Sequence, residues 1–107
     1  MQNITVEELK VKMDKGEELH LVDVREPQEN ADFNIGGILY PLGKIKEMMV
    51  EELEDLKNEE VICYCRSGNR SGQACQILDM LGFKNTKNLV GGMLGWQEKF
   101  GAESRET

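Results

Sequence analysis

The chain has 107 residues, with 13 basic against 20 acidic side chains and a net charge of −7. This length makes one domain with a single core, and the acidic balance excludes an extended basic surface for nucleic acid or an anionic membrane. No apolar stretch approaches the roughly 20 residues that span a bilayer, so a soluble protein is expected.

Thr5 followed three places later by Glu8 is a capping box, and Val6, Leu9 and Met13 recur at helical spacing, which predicts a helix over 6–15 ended by Gly16. Leu19 to Val24 is short and rich in branched apolar residues, the pattern of a buried parallel strand. Asp23 and Arg25 fall at its carboxyl end and read as a structural tie between loops. Pro27 is placed to open a short helical turn reaching Asp32, because its missing N–H costs nothing there. Gly36 and Gly37 then break the chain before a short strand over 38–42, whose Pro41 puts it at a strand end or sheet edge. Ile45, Met48, Met49, Leu53 and Leu56 keep a helical period, predicting one amphipathic helix over 44–56.

Val61-Ile-Cys-Tyr-Cys65 is the central strand candidate. Beyond the polar loop that follows it, Ala74, Ile77, Leu78 and Leu81 mark the buried face of a helix running from Ser71 to Gly82. A last strand over 86–90 closes at Gly91 and Gly92, a final helix runs over 93–100, and the polar residues 101–107 are expected to be mobile. Strands alternating with helices imply a parallel sheet covered on both faces, in a single domain over residues 1–100.

The loop after Cys65 carries the chemistry. A cysteine between a strand end and a helix start sits where loop amides and the helix N-terminus converge, which favours its thiolate. Gly68 and Asn69 tolerate left-handed backbone angles that let successive N–H groups curl toward one point, an anion nest around the sulfur. Arg66 and Arg70 are placed to hold an oxyanion donor such as thiosulfate, and Ser67 and Ser71 can donate further hydrogen bonds. Gly91 and Gly92, also following a strand, either approach the same site or simply turn the chain. Cys63 and Cys75 read as small buried residues. Their spacing with Cys65 suits neither a disulfide along a strand nor a zinc site, and the lone His20 lies outside the chemistry. With three cysteines and no secretory signal read at its start, the chain is expected in a reducing cytoplasm.

The cysteine-dependent phosphatases also cradle an anion over a cysteine, with the pattern H-C-x5-R. Here Tyr64 precedes the cysteine, the arginine comes one residue early at Arg70, and Ser71 stands where theirs would be. A shorter loop makes a smaller cradle, matched to one sulfur atom.

Asp23-Val-Arg-Glu-Pro27, Tyr64-Cys-Arg-Ser-Gly-Asn-Arg-Ser71, Leu81-Gly-Phe83 and Asn88-Leu-Val-Gly-Gly92 with Trp96 together resemble a single-domain rhodanese, a sulfurtransferase. The resemblance implies an α/β fold with a central parallel five-stranded sheet flanked by helices on both faces. It also implies Cys65 as the persulfide-forming nucleophile and Arg66, Ser67, Gly68, Asn69 and Arg70 as the substrate-binding loop. The implied reaction moves a sulfane sulfur from a donor such as thiosulfate to cyanide or a thiol, with no metal or organic cofactor. Asn34 to Leu42 lacks the histidine that many rhodaneses carry there, and this version is similar to rhodanese domains that work with the adenylating enzymes of sulfur-carrier proteins. A sulfur-carrier or sulfur-relay protein is therefore a candidate partner. A non-catalytic binding module, or a sulfur carrier acting with a partner, is the alternative.

Overall fold

The structure is a computed structural model that describes residues 1–101. The rest of the polar end, residues 102–107, lies outside the described residues. Five strands form one all-parallel sheet in the order β1-β5-β4-β2-β3: β1 is Gln2–Ile4, β2 Leu21–Asp23, β3 Ile38–Leu39, β4 Glu60–Tyr64 and β5 Asn85–Leu89. The helices are α1 (Val6–Asp14), α2 (Pro27–Asp32), α3 (Leu42–Lys46), α4 (Asn69–Met80) and α5 (Gly92–Phe100). This is the α/β arrangement expected.

Alternation along β4 divides the core in two. Val61, Cys63 and Cys65 join Leu42 and Ile45 of α3 and Ala74, Cys75 and Leu78 of α4 on one face. Ile62 and Tyr64 join Val6 and Leu9 of α1 and Met93 and Trp96 of α5 on the other. A strand buried on both faces has no polar side to offer, which is why this stretch is apolar throughout.

The capping box at α1 forms as predicted, with the Thr5 hydroxyl accepting from the Glu8 amide at 3.1 Å and the Glu8 carboxylate accepting from the Thr5 amide at 2.9 Å. One strand was not assigned from the sequence pattern, and three expectations need correction. Gln2–Ile4 is a strand, paired with β5, although only Ile4 of its three residues is buried. The predicted strand over 38–42 ends at Leu39, and Leu42 already belongs to α3.

The single helix predicted over 44–56 is two pieces, α3 and a 3-10 helix Glu51–Leu56. Between them Met48 takes φ 62°. The Met48 amide donates to the Ile45 carbonyl at 2.9 Å and the Met49 amide to the Lys44 carbonyl at 3.0 Å, the two bonds of a Schellman stop. The Tyr40 hydroxyl, whose one proton faces both the Met49 carbonyl and the Glu52 carboxylate, the latter at 2.6 Å, pins the break. Lastly, α4 begins at Asn69, two residues ahead of the predicted start.

Candidate active site

Parallel strands put all their carboxyl ends on one edge of the sheet, and in an open α/β sheet ligands bind outside that edge. Cys65 is the first residue after β4 and lies on this edge, whereas His20 precedes β2 on the opposite one, partly exposed beside Glu59. The chain leaves β4 through Arg66 and Ser67, turns at Gly68 with φ 104°, and enters α4 at Asn69. Gly68 alone uses the left-handed region here. Asn69 is the first residue of the helix and faces solvent.

Helix α4 has no side-chain N-cap. Two of its first amides, which an α-helix leaves without internal partners, find the Cys65 sulfur instead. The Gly68 amide donates to Sγ at 3.1 Å and the Ser71 amide at 3.4 Å, with the Ser71 hydroxyl oxygen 3.5 Å away. Sulfur therefore occupies the capping position, where a negative charge is stabilised by the helix dipole and by direct hydrogen bonds. Burial acts to raise the thiol. The Ser71 hydroxyl and the amides of Ser71, Gly68 and Ser67 outweigh it, and the thiol ionises below its ordinary value of 9.0. Cys63 differs: its hydrogen bond with Cys75 and its complete burial push its thiol well up, so it is inert at neutral pH. All three cysteines are free and buried.

The backbone behind the loop is fixed by the start of α5. The Met93 amide donates to the Cys65 carbonyl and the Leu94 amide to the Arg66 carbonyl, both at 2.9 Å. Gly92 makes that approach with φ 53°, and a Cβ there would stand 2.5 Å from the Cys65 carbonyl oxygen. Of the two readings of Gly91 and Gly92, the close approach to the site is the one realised. On the far side, Asn88 of β5 donates from Nδ2 to the Gly68 carbonyl at 3.1 Å, and its Oδ1 accepts from the Ser71 hydroxyl.

The two loop arginines part company. Arg70 makes a two-pronged ion pair with Glu29 of α2, Nη1 to Oε1 at 2.8 Å and Nη2 to Oε2 at 2.9 Å. The Arg70 guanidinium, aided by the Glu26 amide, lowers the Glu29 carboxyl to about 2 against burial that works to raise it. Arg66 is exposed and has no ion-pair partner among the described residues. It stands at a cleft of about 160 Å³ beside the loop, lined also by Arg25, Glu29, Asp32, Phe33, Met93, Leu94 and Gln97. Cys65 is not one of its walls; the sulfur sits under the loop amides next to it. Asp23 and Arg25 form the structural tie expected of them. Arg25 Nε and Nη2 each meet the Asp23 carboxylate at 2.8 Å, Nη2 also donates to the Phe33 carbonyl, and Asn30 completes the carboxylate's partners.

Glu29 and Asn88 are the parts of the site that sequence reasoning did not single out. Asn88 lay in a quoted motif with no role attached, and Glu29 is one acidic residue among 20.

The sequence profile of the Rhodanese-like domain matches residues 5–99. The chain belongs to the rhodanese-like family. Among its relatives, the Bacillus subtilis protein named "Putative sulfurtransferase YtwF" is 42% identical over 98 residues, covering 91% of both chains. The Mycobacterium tuberculosis protein named "Probable adenylyltransferase/sulfurtransferase MoeZ" is 34% identical over 98 residues, covering 90% of this chain and 24% of its own. A rhodanese-like domain protein from Staphylococcus aureus, solved by crystallography, superposes with a TM-score of 0.78 at 33% identity, covering 90% of this chain and 91% of its own. The chain thus matches nearly the whole of the first relative and about a quarter of the second.

Proposed function

We propose that this rhodanese-like domain is a sulfurtransferase of the thiosulfate type that works through a persulfide on Cys65. The observation that carries the reading is the sulfur in the capping position of α4, held by the Gly68 and Ser71 amides. The Cys65 thiolate attacks the outer sulfur of thiosulfate. A new S–S bond forms at Cys65, the S–S bond of the donor breaks, and its electron pair leaves with sulfite. The persulfide then carries the negative charge on its outer sulfur, and the donors that stabilised the thiolate remain around its root. Cyanide or a thiolate attacks that outer sulfur and takes it away, returning Cys65 as thiolate. Electrons and atoms balance without a metal or organic cofactor.

Arg66, free at the mouth of the cleft, is the residue offered to an incoming oxyanion. Arg70 stays on Glu29 and contributes its charge near the sulfur, while the Ser67 and Gly68 amides form the cradle and Asn69 opens the helix that completes it. Cys65 is 1% exposed, so acceptors must be small or slender, such as cyanide or a thiol on a flexible chain. A sulfur-carrier or sulfur-relay protein with a flexible reactive end fits that restriction, and MoeZ, whose name joins adenylyl and sulfur transfer, supports it. Three free thiols suit a reducing compartment such as the cytoplasm. No described helix is long and apolar enough to cross a membrane.

The test is turnover of thiosulfate and cyanide to thiocyanate and sulfite. The native chain should turn over, and Cys65→Ser should fall to the uncatalysed background. Activity retained in Cys65→Ser would overturn the proposal.

A further inference from the structure

We propose that Asn88 is a positioning residue of this site, acting through Ser71: its side-chain oxygen accepts the hydrogen bond of the Ser71 hydroxyl while Cys65 is a thiol and gives that bond up when Cys65 becomes a thiolate. Asn88 lies on β5, next to β4 in the sheet, and its side chain is hydrogen-bonded to Ser71 and Gly68, not to the sulfur itself. Its amide orientation is fixed by chemistry, because a carbonyl only accepts, and the group facing the Gly68 carbonyl at 3.1 Å must be Nδ2. Oδ1 is then the atom that faces Ser71, and it accepts the hydroxyl proton.

A serine hydroxyl has one proton to give. With that proton directed at Asn88 Oδ1, the 3.5 Å contact between Ser71 Oγ and Cys65 Sγ carries a hydrogen bond only in the direction S–H to O. When the thiol proton is lost to solvent, sulfur becomes an acceptor alone. A hydrogen bond to the charged sulfur is stronger than one to a neutral amide oxygen, so the hydroxyl turns. The Ser71 amide, 3.4 Å from the sulfur, stays in place through the exchange. Ser71 is fully buried and Asn88 is 8% exposed, which keeps the exchange between these three side chains. Through Nδ2 the same amide steadies Gly68, whose own N–H is the closest donor to the sulfur.

The proposal rests on Cys65 as the reacting group. Alkylation reads its ionisation with no sulfur donor present, so failure of sulfur transfer and failure of this role show separately. The ionisable groups around the sulfur are Arg66 in the loop, Arg70 of α4 with Glu29 of α2 on it, the Asp23–Arg25 pair at the end of β2, and the thiols of Cys63 and Cys75. Lys87, beside Asn88 on β5, is paired with Glu60, and the first turn of α5 carries no charge. None of these changes in the variants used, but Asn88→Asp adds a carboxylate whose direct charge effect on Cys65 the Ser71→Ala background measures separately.

Asn88→Asp keeps an acceptor for Ser71, makes it stronger, and removes the donor to Gly68. The pH midpoint for iodoacetamide alkylation, followed on the Cys65 peptide by mass spectrometry, should rise by about one unit. In a Ser71→Ala background the same change should move the midpoint by less than half as much. An unmoved midpoint in Asn88→Asp, or an equal shift with and without Ser71, would overturn the proposal. The native protein supplies a reading that needs no folded variant of Asn88. Its Asn88 side-chain amide resonances should titrate with the midpoint of Cys65 alkylation, and resonances flat across that range would equally contradict it.

Discussion

A sulfur atom buried beside a sheet would ordinarily hold its proton, since burial disfavours charge. Cys65 escapes this because the amides at the start of α4 have no other acceptor, so ionising the sulfur satisfies donors that burial would otherwise leave unpaired. The identity of that sulfur was legible in the sequence, from an apolar run that stops at a cysteine before a glycine-containing loop. The support behind it was only half legible. Gly91 and Gly92 signalled a turn, and nothing in a glycine pair tells whether its freedom serves a bend or a close approach. The structure decides by contact: a Cβ on Gly92 would press on the Cys65 and Arg66 carbonyl oxygens at 2.5 and 2.6 Å, from a left-handed backbone. Gly92→Ala should destabilise the fold by about 2–4 kcal/mol. Thermal unfolding should then shift down by roughly 10 °C or more, and Cys65 alkylation at a fixed pH should change with it.

At the scale of elements, stops proved harder to see than faces. The apolar period over 44–56 correctly placed Ile45 and Leu53 in the core, yet it runs through a break that no glycine or proline announces. Met48 takes the left-handed stop position, and with 55% of its surface exposed it gives little back in packing. A non-glycine residue there costs about 1–2 kcal/mol, so Met48→Gly should stabilise the chain by about 1 kcal/mol and raise the unfolding temperature by roughly 4–8 °C. A lower melting temperature in that variant would show that Met48 packs in solution.

Helix α2 is tied to the loop after Cys65 by Glu29 and Arg70, a link between residues 41 apart in sequence that no local pattern encodes. The Glu29 carboxyl lies at about 2 in the folded chain against an ordinary 4.5. A lowered folded pKa means the link contributes fully above pH 4.5 and fades as pH falls toward 2. Both side chains are about one-third exposed, so its contribution is held to about 0.5–1 kcal/mol by solvent screening. Glu29→Gln should lose that much stability at pH 7 and match the native chain near pH 2, as read by urea unfolding at the two pH values.

For the whole molecule, the alternation of strand and helix was enough to predict a covered parallel sheet. The residue pattern showed four strands, and the fifth came with the family resemblance. β1 was not visible because three residues with one buried side chain make no periodic signal; it is a strand because β5 offers it an edge. The result is a sheet that sets Cys65, the α4 start and the α5 start on one edge, within a molecule whose net charge of −7 leaves Arg66 as the unpaired cation of the loop. In the proposed reaction Cys65 carries the transferred sulfur. Intact-mass and peptide mass spectrometry after incubation with thiosulfate reads that sulfur on the residue itself. A gain of about 32 Da is predicted on Cys65 alone, removed by cyanide and absent in Cys65→Ser. The same gain on Cys63 or Cys75, or its persistence in Cys65→Ser, would contradict it.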